Sequence, residues 1–339
     1  MERKDLRIVY MGTPEFAVAP LAALVEGGYN VVGVITMPDK PAGRGHRLQA
    51  SPVKEYALAH GLPLLQPERL KDEAFLAALR AWRADLQVVV AFRMLPEAVW
   101  AMPRCGTFNL HAALLPQYRG AAPINWAVMN GDTRTGATTF FLDAQIDTGR
   151  VILAEEMPIG PDECVGSVHD RLMELGTGLV RRTVDLVIGA EADPARIPTV
   201  DQETLIAALQ RQAAAEGRPF ELRPAPKIFR ETCELDFTRP VRAVRDWVRG
   251  LSPYPAAWFT LPLSGGEAVA AKVYRAHVAE GAAAPLPAAG TLLTDGRTYL
   301  HVACADGLLA IDELQLPGKK RMDVRALLNG TRLATADPA

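Results

Sequence analysis

Short apolar runs alternate with helix-patterned segments over the N-terminal third of the chain, and the connections between them are short. Residues 6–11, 31–36, 62–65, 86–92 and 107–111 read as strands. The run 31–36 is almost wholly apolar, as in a strand covered on both faces. Helical segments lie between these runs. Ser51 and Pro52 open one, as capping hydroxyl and first-turn proline, and Gly61 closes it. Another spans 72–82, and the first ends at Gly27-Gly28, with Pro20 marking the start of its regular part. Parallel strands need a crossover of helix length, so this alternation predicts an α/β fold, a doubly wound, mostly parallel sheet with helices on both faces. Ligands of such sheets bind beyond the carboxyl ends of the strands.

The first such end, Gly12-Thr13-Pro14-Glu15-Phe16, lacks the G-x-G-x-x-G spacing, which removes the main support for a dinucleotide-dependent oxidoreductase. Cys105, Cys164, Cys233 and Cys304 are isolated, with no C-x-x-C pair, so reduced thiols are expected and a bound metal is not. The opening residues lead directly into a strand, and the longest apolar stretch, 86–92, is too short to span a bilayer. A cytoplasmic protein with no secretory signal and no membrane association is expected. Its chemistry then rests on acid–base and hydrogen-bonding side chains.

At 339 residues the chain has room for two domains. A long helical pattern over 165–188 ends the first, and 189–226, rich in Ala, Glu, Arg and Pro, reads as a helix-containing linker. An amphipathic helix over 241–251 precedes strand-like runs at 258–261, 269–274, 291–293, 299–303 and 308–314, the pattern of a small β-barrel. The expected division is 1–189, 190–226 and 227–335. Residues from 206 onward carry 17 Lys/Arg against 14 Asp/Glu, an asymmetry too weak to identify a nucleic-acid partner by itself.

Chemistry concentrates in Phe108-Asn109-Leu110-His111. Alternate residues of a strand share a face, so Asn109 and His111 emerge side by side at a carboxyl end. Acyl transfer to an amine asks for such a pair, a donor for the developing oxyanion and a group that exchanges protons near neutrality. Asp147, in the turn Asp147-Thr148-Gly149, is a candidate to orient the imidazole. Taken singly, each has a plainer reading, as a turn asparagine, a satisfied strand-end histidine or an ordinary turn aspartate.

Together, Asn109, His111, the run A-L-L-P-Q-Y-R-G-A-A-P-I from Ala113, and Asp147-Thr148-Gly149 resemble the catalytic signature of folate-dependent formyltransferases. The resemblance implies that 10-formyltetrahydrofolate is the co-substrate and that Asn109, His111 and Asp147 are catalytic. It assigns Leu115, Pro116, Gln117 and Tyr118 to the folate, with Phe92 and its neighbours walling the pterin pocket. Two positions depart from the pattern. Ala113 stands where many members carry Ser, and Phe92-Arg93 replaces an aromatic-Gly pair.

A second segment bears on the acceptor. Residues 37–48 form a connection longer and more basic than a strand-to-helix link needs, with Lys40, Arg44, Arg47 and His46, and glycines either side of Arg44. Such a loop suits phosphate contacts and the end of an acceptor stem. It resembles the tRNA-contacting insertion of the methionyl-tRNA formyltransferase family. The likeness runs from Arg7 to Gly149 and resumes over residues 314–322. It implies formyl transfer to the α-amine of initiator methionyl-tRNA, giving formylmethionyl-tRNA for translation initiation. By the same likeness Arg44 touches tRNA, Phe16 lies by the methionine side chain, and the second domain is an OB-like tRNA-binding barrel. There Lys227, Arg230, Lys319, Lys320 and Arg321 are candidate phosphate contacts, and a monomer is implied. A formyltransferase for a nucleotide-linked amino sugar is the alternative, disfavoured by the P-A-G-R-G loop. A non-catalytic RNA-binding module is disfavoured by the three polar residues. Whether His111 donates to the oxyanion or relays a proton stays open at this level.

Overall fold

In the computed structural model, which describes residues 1–42, 47–281 and 285–334, the apolar runs near the N-terminus become buried parallel strands. In chain order the strands of the first part are β1 (Ile8–Gly12), β2 (Val31–Ile35), β3 (Lys40–Ala42), β4 (Arg47–Gln49) and β5 (Leu64–Leu65). There follow β6 (Leu86–Val90), β7 (Thr107–His111), β8 (Arg134–Phe141) and β9 (Val151–Pro158). The helices are α1 (Val18–Glu26), α2 (Pro52–Ala59), α3 (Glu73–Ala81), α4 (Glu97–Trp100), α5 (Pro123–Met129), α6 (Val165–Gly189) and α7 (Gln202–Ala215).

Among the described residues the main sheet has seven strands in the order β5-β2-β1-β6-β7-β8-β9. The pairs β2/β5, β1/β2, β1/β6 and β6/β7 are parallel, and β7/β8 is antiparallel. The chain therefore winds outward from β1 through β2 to β5, then returns to β6 on the other side of β1. That reversal leaves a crevice at the carboxyl ends of β1 and β6, the usual ligand position in open α/β sheets. Gly12, paired with Val90 at this end, admits no side chain, because a Cβ there would stand 2.6 Å from that of Ala17. One sheet face packs Val9, Met11, Ile35 and Val89 against Phe75 and Leu79 of α3.

The local signals act as their chemistry requires. The Ser51 hydroxyl accepts from the Lys54 amide at 3.1 Å, and Asp72 accepts from Ala74 at 3.1 Å. One boundary differs from the expectation. Regular helix begins at Val18, after a 3-10 turn over Glu15–Ala17, so Pro20 sits inside the first turn. The first four amides of a helix have no intrahelical acceptor, so a proline there loses nothing. The basic connection is also more ordered at its ends than a loop, since β3 and β4 pair as an antiparallel ribbon, Lys40 opposite Gln49. Asp39 anchors its base, accepting from Lys54 Nζ at 2.6 Å and from Gln66 at 2.9 Å. Arg44, His46 and the side chain of Arg47 lie outside the described residues.

The chain packs as two units. One comprises Met1–Gly120, Gly136–Met157 and Asp170–Pro224; the other comprises Ala121–Thr135, Pro158–His169 and the chain from Ala225 on. The second unit contains α8 (Val241–Leu251), β10 (Ala257–Pro262), β11 (Ala268–Val278), β12 (Leu292–Thr294), β13 (Leu300–Ala303), β14 (Leu308–Gln315), β15 (Met322–Asp323) and α9 (Val324–Gly330). Among the described residues its six strands pair antiparallel in the order β10-β11-β14-β13-β12, with β15 beside β14, and form the barrel-like domain as a curled, open half-barrel. Val241, Val244, Val248 and Leu251, at helical spacing on α8, fill its core against Phe259 and Ile311. All four cysteines are free. No helix of the described residues is long and apolar enough to cross a membrane.

Candidate active site

The site lies within the first unit, at the end of β7. Asn109 and His111 project from one face of that strand, and the register sets Phe140 and Thr138 of β8 opposite them. His111 is buried at 6% exposure, with its ring and that of Phe140 nearly perpendicular and their centroids 6.4 Å apart. Its Nε2 lies 2.8 Å from the Tyr118 carbonyl oxygen, and its Nδ1 lies 3.9 Å from Oδ2 of Asp147. A carbonyl can only accept, so Nε2 carries a proton in both charge states and Nδ1 is the nitrogen that titrates. At 3.9 Å the carboxylate acts on Nδ1 as a charge and not as a hydrogen-bond partner. Burial pushes the imidazole below its ordinary range, opposed by the Asp147 charge and by the bond to the Tyr118 carbonyl.

The segments bearing these partners are held in unusual backbone conformations. Tyr118 and Asp147 both occupy the left-handed region, at φ of 61° and 56°. Non-glycine residues in that region cost about 1–3 kcal/mol each and persist where their surroundings impose them. The surroundings are visible. The Gly120 amide donates to Oδ2 of Asp147 at 2.9 Å, and the Arg223 carbonyl accepts from the Tyr118 amide at 2.7 Å. Gln117 spans to the same stretch, donating to the Glu221 carbonyl at 3.0 Å and accepting from the Arg223 amide at 2.8 Å. Thr138, fully buried, donates to the Ala113 carbonyl at 2.7 Å and accepts from the Leu115 amide at 3.1 Å. Replacing it with the isosteric valine leaves both backbone groups buried and unpaired. Thr138→Val is expected to destabilise the protein by about 1–3 kcal/mol. The check is the urea midpoint, which drops at constant slope; an unmoved midpoint would show that the turn is held without it.

The Asn109 side chain is half-buried and makes no hydrogen bond among the described residues. Thr13, just beyond β1, has a buried hydroxyl without a partner. Leu115 packs with Phe140 and Val151, and Pro116 and Tyr118 are buried. Phe92 lies partly buried against the core face that includes Leu142. Arg93, in place of a glycine, sends its guanidinium to the carbonyls of Pro67 and Glu68. Phe16 is buried in the turn after β1, and Lys40 is exposed on β3. In the second unit Lys227 lies over Phe229 and Arg230 over Trp258, while Lys319 and Lys320 are exposed. Arg321 is committed to the Glu313 carboxylate and the Tyr274 ring. Gly120 falls within the run that starts at Ala113, but neither it nor Thr13 or Thr138 is singled out by residue type, since turn glycines and strand or turn threonines are ordinary. Among the described residues no three His, Cys, Asp or Glu side chains are arranged to hold a metal ion.

The profile of the formyl transferase family matches residues 6–184, and that of the formyl transferase C-terminal domain matches 227–332. A protein of Bacteroides thetaiotaomicron named methionyl-tRNA formyltransferase is 59% identical over 335 residues, covering 98% of each chain. One of the same name from Flavobacterium johnsoniae is 49% identical, covering 96% of each. The solved N-formyltransferase of Helicobacter canadensis, only 14% identical, has the same fold with a TM-score of 0.61, over 91% of this chain and 100% of that one. With two domain profiles in chain order and near-complete alignment to relatives of equal length, the chain belongs to the formyl transferase family.

Proposed function

We propose that the chain transfers the formyl group of 10-formyltetrahydrofolate to the α-amine of initiator methionyl-tRNA. The observation that carries this reading is the meeting of His111 and Asp147 beside Asn109, in a chain 59% identical to a protein named for that reaction. The division of labour is residues 1–189 for catalysis and 227–335 for tRNA, joined by 190–226. The donor follows from the signature over residues 109–149 that the chain shares with folate-dependent formyltransferases. Two unsatisfied polar groups at the strand ends, the Asn109 amide and the Thr13 hydroxyl, fit an oxygen-bearing acyl donor.

The folate supplies an activated formyl carbon. The Asn109 amide donates to the oxygen of that carbon as negative charge builds on it. His111 has one N–H turned to the Tyr118 carbonyl and a bare Nδ1 facing Asp147. Nε2 is held by Tyr118 and Nδ1 is bare in the neutral ring, so Nδ1 is the nitrogen that can take a proton, and the relay role is assigned to it. Nδ1 takes the proton lost by the attacking amine, Asp147 stabilises the imidazolium, and the proton then leaves with the folate nitrogen. Leu115, Pro116, Gln117, Tyr118 and Phe92 wall the folate, and Phe16 faces the methionine side chain. Lys40, Arg44, His46 and Arg47 meet the acceptor stem.

The test is direct. With 10-formyltetrahydrofolate and methionyl initiator tRNA the protein is expected to form formylmethionyl-tRNA. Formylation of a nucleotide-linked amino sugar in place of the tRNA would refute the assignment. The loop gives a further prediction. Arg44→Ala is expected to weaken tRNA binding and to reduce the slope of log K against log salt by about one, as for one lost phosphate contact. Folate affinity is expected to stay unchanged; filter binding across a salt series reads the slope.

A further inference from the structure

Gln202 lies at the head of α7, in the stretch that reads as a linker, yet it is only 2% exposed. Its Nε2 donates to the carbonyls of Asp147 at 2.9 Å and Gly149 at 2.8 Å. Its Oε1 accepts from Nε of Arg119 at 3.0 Å and from a terminal guanidinium nitrogen at 2.7 Å. The helix does not need this amide, because Asp201 already caps it by accepting from the Glu203 amide at 2.9 Å. Both anchors fall on the segments that supply the partners of His111. Arg119 follows Tyr118, whose carbonyl accepts from Nε2, and precedes Gly120, whose amide holds the Asp147 carboxylate. Asp147, like Tyr118, is also kept at a positive φ.

We propose that Gln202 is a positioning residue, which ties residue 119 and residues 147–149 into one frame and so holds the Asp147 carboxylate at working distance from His111. The proposal rests on the reading of His111 and Asp147 as the acid–base pair. Fastening two loops would also serve stability alone, so the test needs readouts that a fastener does not move. Around the imidazole, Asp147 is the charged side chain acting on it, with the Phe140 ring and the Tyr118 carbonyl as the other neighbours.

Two variants of the full chain serve. Gln202→Leu keeps the size and removes every hydrogen bond. Gln202→Glu keeps an acceptor for Arg119, and hence the fold, but turns a carboxylate on the carbonyls of 147 and 149. Both are expected to lose about 10- to 100-fold in kcat, the scale of a small misplacement, with KM for tRNA and folate little changed. In an Asp147→Asn background, Gln202→Leu is expected to add no further loss. Followed by NMR without substrates, the His111 titration in Gln202→Leu moves below that of the wild type, as the carboxylate's pull weakens. Losses that multiply in full with Asp147→Asn, or a His111 titration identical to wild type, overturn the proposal. An inactive wild type would instead count against the proposed reaction, and the ring titration would still decide the role of Gln202.

Discussion

Asn109→Ala is expected to lower formyl transfer by about 100- to 1000-fold, the loss that follows removal of one preorganised oxyanion donor, while folate affinity stays nearly intact. The reasoning starts from β7. Asn109 is fixed between β6 and β8 by the registers Val89↔Asn109 and Asn109↔Phe140, so its backbone cannot drift. Its amide is half-buried and uncommitted among the described residues, so no protein partner must be broken before it serves a ligand. A donor held ready in this way is worth most to charge that develops during reaction and little to the neutral ground state. Single-turnover kinetics and folate titration together separate the two. A variant with near-normal turnover, or one whose defect lies wholly in folate binding, would remove Asn109 from the chemistry.

His111→Gln is expected to cost about 100- to 10,000-fold, the range of positioned acid–base groups. The substitution is chosen because the glutamine amide can still donate to the Tyr118 carbonyl, so the local backbone keeps a partner while the titrating Nδ1 is gone. The same variant carries a stability signature. Burial holds the folded-state pKa of His111 below the ordinary 6.5. The unfolded chain therefore binds the extra proton more readily, and unfolding gains from acidification. The contribution of the neutral ring is complete above pH 6.5 and is lost as pH falls below that value toward the folded-state pKa. Denaturant midpoints across this window are expected to fall for the wild type and to fall less for His111→Gln. Parallel curves would mean that the ring titrates alike in both states.

Several elements were legible because their causes are local. Alternating strand and helix patterns, with Ser51, Asp72 and the glycine stops, specify the parallel sheet, and a spacing of two along β7 puts Asn109 and His111 on one face. The missing glycine fingerprint after β1 removed the main support for the dinucleotide reading for an equally local reason. The paired ends of the basic connection were not legible, because a ribbon containing Pro41 and bounded by glycines has the composition of a loop. Nor were α5 and α9, two-turn helices whose burial depends on neighbours remote in the chain, or the strand β9.

Backbone sterics, apolar spacing and capping act within a turn or two of chain, which is why the fold class and the shared face of two catalytic candidates could be read from residue order alone. The pairing of Asp147 with His111 is a candidate in the sequence, strengthened only by the resemblance of the whole signature. Its 3.9 Å approach to Nδ1, the support of Thr138 beneath residues 113–115 and the reach of Gln202 from α7 into the 147–149 loop could not be read. Each joins segments brought together only by the packing of the complete sheet, and the side chains involved look, in sequence, like any other turn aspartate, strand threonine or first-turn glutamine.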